Sequence, residues 1–374
     1  MLTLDDLLHP ITPEQFRAEY KDRRPLHIPA VAGSARRDAL TWAAFNALLN
    51  QDGVWDSERL RVMRDGVPVP AIQYCSLKQT PAGPVMRPWP PKVEVFLSAG
   101  AGVVANDVMA LHPPLARIGA VLAEAFAGEI GVNAFCSFTG VPAFGTHFDL
   151  HDVFAIQTEG EKIWNIYPAR ADNPLEYPGV TPQEVARVRA EGAMQVHMRP
   201  GDLLYLPRGV YHDALAKDGP SLHVTCSVTQ LTGRSTLALL DRLAMQHPAF
   251  RAWLPPSWDG DGGGLRTALA DLGRLYAEIA ASPDFADEVA LMQRRLVPRV
   301  PDFTLPARKP ITLYRTTGLA FPPAGKGLRL VYDWMIDQRQ FAVEDMVAHF
   351  DIIAVADIMA GLVAAEQAGA LRRS

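Results

Sequence analysis

A run of short strands between residues 132 and 229 constrains the fold of this chain more than any other feature. Apolar segments at 132–138, 153–158, 161–167, 202–206 and 222–229 alternate there with Gly and Pro turns. Many short strands separated by turn residues are typical of an antiparallel barrel or jelly roll. Because helical patterns flank this run, the predicted class is α+β, with a double-stranded β-helix (jelly roll) core and helical additions.

The residues before this core predict a mixture of helices and short strands. Thr12 followed by Pro13 is typical of a helix start, and residues 39–50 have the spacing of a second amphipathic helix. Residues 114–126 predict a third helix, with Gly128 suited to its C-terminal end. Residues 80–92 contain five prolines, and a surface loop is expected there because proline cannot pair inside a sheet.

The pattern changes after residue 231, where a domain boundary is expected. We predict a first domain at 1–231 that contains the jelly roll, a helical region at 232–305 and a winged-helix-like module at 306–374. In that module, residues 311–315 and 328–332 are expected to be strands, and 343–350 and 355–367 helices.

Charge and cysteine content exclude several classes of function. Helix 355–367 contains Asp and Glu but no Lys or Arg, and the net charge is −5, so direct nucleic-acid binding is not expected. Three scattered cysteines without a CxxC pair argue for reduced thiols, and Cys136 and Cys226 are expected to be inert core thiols. No signal peptide or membrane span is predicted, so a cytoplasmic location is expected.

His147-Phe148-Asp149 is the main candidate for chemistry. Side chains two apart in an extended strand lie on one face, so His147 and Asp149 can reach one metal ion. A third ligand, His212, follows the turn at Pro207-Arg208-Gly209. Two histidines and a carboxylate form the facial triad of non-haem Fe(II) oxygenases. The HxD pattern alone is also compatible with a loop histidine that is hydrogen-bonded by an aspartate.

Lys162 is the second candidate, because it lies in an otherwise apolar strand and shares a face with Trp164 and Ile166. Burying an ammonium group is costly unless it is paired, so an anionic ligand could serve as its partner. The alternative is an edge-strand lysine in water. His223 alternates with apolar neighbours and is expected to be a buried strand residue rather than a fourth metal ligand.

Taken together, these motifs resemble the JmjC/cupin-4 family of Fe(II)- and 2-oxoglutarate-dependent oxygenases, in particular the ribosomal oxygenases. The resemblance rests on His147-Phe148-Asp149, Asp152-Val153-Phe154 and the segment Gln157 to Trp164. It continues through the segment Pro200 to Pro207 and ends at His212. It covers the chain from the first helix to about residue 230.

The resemblance implies a role for each matched residue. His147, Asp149 and His212 would hold Fe(II), and Lys162 would bind the distal carboxylate of 2-oxoglutarate. Asn133 and Ser227 match family positions near this cosubstrate. His151 matches a position that is not a ligand, so it is expected to support the site or contact the substrate.

The family's activity and assembly are implied in the same way. The implied activity is O2-dependent hydroxylation of a protein side chain, with a ribosomal protein as substrate, and region 232–305 resembles the family's dimerisation region. The same chemistry on a small molecule, a modified nucleotide or another peptide is an alternative. A cupin scaffold that holds a metal without turnover is an alternative of another class.

Overall fold

A computed structural model describes residues 2–51, 53–64, 66–138, 145–216, 219–298 and 311–374. The chain divides into two compact units, Met1–Gln230 and Leu231–Ser374. In the described part of the chain, no helix is long and apolar enough to cross a membrane.

Helices and strands alternate through the first unit. Its helices are α1 (Leu4–Leu8), α2 (Pro13–Glu19), α3 (Trp42–Leu49), α4 (Ala71–Tyr74), α5 (Pro90–Ser98), α6 (Pro113–Phe126) and α7 (Pro182–Ala190). Its strands are β1 (Leu26–Ile28), β2 (Leu60–Arg64), β3 (Val67–Pro68), β4 (Cys75–Thr80), β5 (Gly83–Pro88), β6 (Gly102–Ala105), β7 (Gly128–Ser137), β8 (Asp152–Glu159), β9 (Lys162–Arg170), β10 (Met194–Met198), β11 (Leu203–Leu206), β12 (Val210–Ala216) and β13 (Ser221–Gln230).

Two antiparallel sheets form the centre of this unit. The larger has the order β1-β11-β8-β13-β7-β6-β2-β3, and the smaller has the order β10-β9-β12. Buried side chains from both sheets pack together between them: Val153, Ala155, Trp164, Ile166, Val196, Met198, Leu204, Leu206 and Val210. The two sheets therefore enclose one apolar core, as the predicted jelly roll requires.

Helices cover the larger sheet through a cluster of aromatic rings. Thr12 caps α2 by accepting a hydrogen bond from the Gln15 backbone N–H, which fixes the start of the helix as predicted. Phe16 of α2 then packs against Phe126 of α6 at 6.0 Å and against Tyr205 of β11 at 4.8 Å. Such edge-on contacts add to the stabilisation from apolar burial.

The proline-rich stretch is not the surface loop that its composition predicts. Residues 83–88 form β5, which pairs with β4, and α5 begins at Pro90. The expectation was wrong because each strand of a two-stranded sheet has only one neighbour. Pro84 and Pro88 can therefore turn their missing N–H groups away from the ladder.

Two helix ends also differ from the sequence predictions. α3 begins at Trp42 rather than at residue 39, because the Thr41 hydroxyl accepts a hydrogen bond from the Ala44 N–H and so fixes the cap there. Ala127 has the left-handed conformation that ends α6, whereas Gly128 already belongs to β7. The pair Asp65-Gly66 predicts a hairpin turn, but Asp65 lies outside the described residues.

The second unit contains helices followed by a small mixed module. Its helices are α8 (Gly233–Ala244), α9 (Gly263–Ala280), α10 (Pro283–Leu296), α11 (Lys326–Gln338), α12 (Val343–His349) and α13 (Val355–Gln367). Strands β14 (Leu313–Thr316), β15 (Gln340–Ala342) and β16 (Leu371–Arg373) form a sheet in the order β15-β14-β16.

One element of this module was predicted wrongly. Residues 328–332 were expected to form a strand, but they lie inside α11. Val331, Tyr332 and Met335 of that helix are buried in the core of the module. The segment 328–332 is too short to distinguish a buried helix face from a strand, and the burial of Met335 one turn later reveals the helical period.

Candidate metal centre

Backbone pairing brings the two predicted histidines together. His147 forms a β-bridge with His212 of β12, and each backbone N–H donates to the other's carbonyl oxygen, at 3.0 and 2.8 Å. Gly209, at the turn before β12, has a φ of +85°, and a Cβ there would lie 2.5 Å from the Ala171 carbonyl oxygen. Glycine is therefore required at the turn that positions His212 opposite the HxD segment.

His147, Asp149 and His212 offer one ligand atom each within 4.8 Å of one another. The Asp149 carboxylate oxygens lie 4.0 Å from Nε2 of His147 and 3.5 Å from Nε2 of His212. Nδ1 of each histidine lies 2.9–3.0 Å from a backbone carbonyl oxygen, that of Gly145 or Val210. Since a carbonyl can only accept, Nδ1 carries the proton in each ring and Nε2 keeps its lone pair for a metal.

Burial also keeps His212 neutral. Its side chain is buried, and desolvation followed by the neighbouring His147 lowers its pKa to about 4. The Trp164 ring stacks on the His212 ring with centroids 5.7 Å apart. The ligand atom of His212 is thus available at neutral pH without the loss of a proton.

A buried polar network, which the sequence pattern does not predict, supports the HxD segment. Asp213 accepts hydrogen bonds from Thr146 Oγ1 at 2.7 Å, Tyr167 OH at 2.8 Å and Asn165 Nδ2 at 2.7 Å, and it pairs with Arg189 of α7. Burial alone would raise the pKa of Asp213, but these hydrogen bonds and the Arg189 charge lower it. The adjacent His212-Asp213 pair on one strand was the available sequence signal, because alternation places Asp213 behind the ligand face.

Aromatic packing fixes the residue between the two HxD ligands. Phe148 is buried and lies edge-on to Tyr211 and Tyr177, with centroids 5.1 Å away in both cases. The Tyr211 hydroxyl donates to the Glu184 carboxylate of α7. Helix α7 therefore supports the segment that contains His147 and Asp149 through this hydrogen bond and the aromatic contacts.

Lys162 lines the same cavity as the three candidate ligands and is buried there. It is 2% exposed and belongs to β9, the middle strand of the smaller sheet, so the alternative of an edge lysine in water is wrong. Its Nζ donates to Ser137 Oγ at 3.2 Å and lies 3.4 Å from Nδ1 of His223. No described carboxylate forms an ion pair with it, and burial lowers its pKa to about 7. A bound anion would stabilise the charged ammonium group and so offset the cost of its burial.

Asn133 and Ser227 line the cavity with different hydrogen-bonding capacity. Asn133 Oδ1 accepts from the Asp107 backbone N–H at 3.1 Å, which leaves its NH2 group for a ligand. Ser227 Oγ donates to the Gly131 carbonyl and accepts from the Gly131 N–H, at 3.2 Å each. Ser227 therefore has less hydrogen-bonding capacity available for a ligand than Asn133.

One cavity of about 670 Å³ connects these groups. Its lining includes the three candidate ligands, Lys162, Asn133, Ser227, His151 and His223. His151 lies outside the described ligand cluster. His223 is buried in β13, as predicted, and stacks on Phe135 with centroids 4.8 Å apart.

Comparisons with known proteins agree with this geometry. Residues 109–236 match the model of the JmjC domain. The chain is 27% identical to Ribosomal oxygenase 1 of Danio rerio over 62% of its length and 41% of that protein's length. It is 28% identical to the bifunctional lysine-specific demethylase and histidyl-hydroxylase NO66 of Aedes aegypti, over 60% of this chain and 34% of that protein. The chain thus matches less than half the length of these relatives.

Solved structures show the fold over almost the whole chain. A structure of E. coli ycfD has a TM-score of 0.53 at 17% identity and covers 96% of this chain and 98% of its own. A structure of the E. coli ribosomal oxygenase YcfD with cobalt and succinic acid has a TM-score of 0.50 at 16% identity, with the same coverage of both chains. At this identity the likeness shows the fold alone, an arrangement of helices around antiparallel sheets. The predicted resemblance is thereby confirmed: residues 109–236 match the JmjC domain family, in a chain similar to the ribosomal oxygenases.

Proposed function

We propose that this protein is an Fe(II)- and 2-oxoglutarate-dependent oxygenase that hydroxylates a protein side chain. One observation carries the proposal: a His-Asp-His cluster and a buried lysine, which has no carboxylate partner among the described residues, line a single cavity. Neutral imidazole and carboxylate ligands in a facial arrangement suit Fe(II). The solved YcfD structure with cobalt and succinic acid supports this choice of metal and cosubstrate class.

Each residue has a role in this proposal. His147, Asp149 and His212 hold the metal through two Nε2 atoms and one carboxylate oxygen. Lys162 binds the distal carboxylate of 2-oxoglutarate, and Asn133 and Ser227 contact the same cosubstrate. With iron, 2-oxoglutarate and O2 bound, the reaction converts a substrate C–H to C–OH and yields succinate and CO2. The protein orders the groups and excludes water.

We further propose that the substrate is a ribosomal protein. The names of the matched relatives, ribosomal oxygenase and histidyl-hydroxylase, support this class of substrate. The same chemistry on a small molecule, a modified nucleotide or another peptide remains the alternative. Mass spectrometry of ribosomal proteins from a strain that lacks this gene separates the two, because the proposal expects the loss of one oxygen mass on one protein.

The layout of the chain supports a homodimer formed by region 232–305. None of the 18 residues of α9 is buried, and Leu237 and Leu269 are more than half exposed. An apolar helix surface of this kind suits a second copy. We also propose a catalytic domain at 1–231 and a winged-helix-like module at 306–374 that does not bind nucleic acid directly. A cytoplasmic location is part of the same proposal.

Succinate release tests the activity directly. The wild-type protein with Fe(II), 2-oxoglutarate and O2 should release succinate, and His147→Ala should release none above background. Equal release from both proteins would contradict the proposal. Tightly held zinc together with no O2 consumption after iron is added would favour a non-catalytic cupin scaffold instead.

A further inference from the structure

The indole N–H of Trp164 is a buried hydrogen-bond donor. Its side chain is 5% exposed, and its Nε1 has no hydrogen-bond partner among the described residues. Buried indole N–H groups normally find an acceptor, since an unsatisfied donor is destabilising. Two other buried atoms, Arg87 Nε and Gln157 Oε1, share this property, but neither residue lines the metal cavity, whereas Trp164 does.

Trp164 lies between the two ends of the cavity. In the smaller sheet Lys162 pairs with Ala216, Trp164 with Ala214 and Ile166 with His212. Side chains at alternate positions of a strand share a face, so Trp164 occupies the position between Lys162 and the ligand His212. Its ring stacks on His212 and meets the His223 ring edge-on at 5.5 Å.

A ligand that joins the metal ligands to Lys162 must pass this ring. 2-Oxoglutarate has such a reach, and at neutral pH its two carboxylates and its keto group only accept hydrogen bonds. The cavity must therefore offer donors along its length. Lys162 supplies one donor at the buried end, and the indole N–H is a second donor that has no acceptor among the described residues.

We propose that the Trp164 indole N–H donates a hydrogen bond to an oxygen of bound 2-oxoglutarate. This inference rests on the proposed function and adds a cosubstrate-binding residue to it. Trp164 thus has two contacts: its ring face supports His212, and its N–H orients the cosubstrate between the metal and Lys162.

Trp164→Phe tests the N–H separately from the ring, because phenylalanine keeps an aromatic surface but has no donor. Trp55→Phe is a matched control: Trp55 is also 5% exposed, but its Nε1 already donates to the Leu48 carbonyl at 2.8 Å, and it does not line the cavity. Calorimetry with zinc-loaded protein measures 2-oxoglutarate affinity without turnover. We expect about a tenfold loss in Trp164→Phe and no change in Trp55→Phe, as for a donor to a charged acceptor.

Indole NMR provides a readout independent of affinity. In ¹⁵N-labelled, zinc-loaded protein, the Trp164 indole peak is assigned as the one missing from Trp164→Phe. It should move downfield when 2-oxoglutarate is added, and the Trp55 peak should stay in place. Zinc affinity of Trp164→Phe should remain at the wild-type value.

Three results would overturn the inference. If the wild-type protein binds 2-oxoglutarate but Trp164→Phe binds it equally and the Trp164 peak does not move, only this inference fails. A joint loss of zinc and 2-oxoglutarate affinity in Trp164→Phe would assign Trp164 to His212 packing instead. If zinc-loaded wild-type protein does not bind 2-oxoglutarate at all, the proposed function fails as well.

Discussion

The two ends of the metal cavity differ in how far their polar groups are stabilised before a ligand binds. At the ligand end, His147 and Asp149 have about a quarter of their side-chain surface exposed, and carbonyl hydrogen bonds set the tautomer of both histidines. At the other end, Lys162 is almost fully buried, and its hydrogen-bond partners among the described residues are Ser137 and His223. The ligand end is therefore satisfied before anything binds, whereas the lysine end is held in a costly state that an anion relieves.

Loss of a ligand should give the largest effect. Asp149→Ala removes the only carboxylate of the described cluster, so metal affinity should fall by more than about 100-fold, beyond the 10–100-fold typical of supporting residues. Metal titration by calorimetry measures this. His151→Ala is the control, because this imidazole lines the same cavity but lies outside the cluster. Equal losses in both variants would show that the cluster is not the metal site.

Lys162→Met should affect the other end of the cavity alone. A buried charged hydrogen bond contributes about 1.5–3 kcal/mol, so 2-oxoglutarate affinity should fall roughly 10- to 100-fold while metal affinity is retained. Calorimetry measures both affinities, and Lys92→Met serves as a lysine control outside this cavity.

The same substitution should stabilise the ligand-free protein against urea at neutral pH, because it removes a desolvated amine. A Lys162→Met protein that binds 2-oxoglutarate normally, or that is less stable without it, would contradict the contrast between the two ends.

The pH dependence of 2-oxoglutarate binding tests the lysine end of the cavity separately from the ligand end. Burial lowers the pKa of Lys162 to about 7, and a bound carboxylate would raise it again. Binding then takes up a proton above pH 7, so 2-oxoglutarate affinity should fall about fivefold between pH 7 and pH 8.

Titration calorimetry in buffers of different ionisation enthalpy measures both the affinity and the proton uptake. The dependence should disappear in Lys162→Met. A flat wild-type profile would show that the amine does not change protonation on binding.

The smallest effect should separate Asn133 from Ser227. The Asn133 NH2 group remains available to a ligand, whereas both hydrogen-bonding roles of Ser227 are used by Gly131. Asn133→Ala should weaken 2-oxoglutarate binding roughly two- to tenfold, as for one neutral hydrogen bond. Ser227→Ala should weaken it less, and the reverse order would contradict this reading of the hydrogen bonds.

The ligand end could be predicted from sequence because its signal is local. Strand spacing alone places His147 and Asp149 on one face, and the turn before His212 contains the glycine that its left-handed backbone needs. The resemblance to a known family then named the chemistry. The jelly roll followed from the spacing of strands and turns in the same way.

The support behind the ligands depends on contacts between distant residues, which periodicity does not reveal. Asp213 joins Thr146, Tyr167 and Arg189 from three separate segments. The Trp164 indole, which has no hydrogen-bond acceptor in the described part of the chain, is likewise visible only once the strands are paired. The wrong predictions for residues 80–92 and 328–332 have the same origin, because strand pairing and helix packing determine the secondary structure of those segments.

A crystal structure obtained without oxygen, with Mn(II) in place of iron and with 2-oxoglutarate, would show both ends of the cavity at once. We expect an anomalous peak within bonding distance of His147, Asp149 and His212, and a 2-oxoglutarate carboxylate hydrogen-bonded to Lys162. A metal bound elsewhere, or 2-oxoglutarate at the metal with no carboxylate at Lys162, would contradict it.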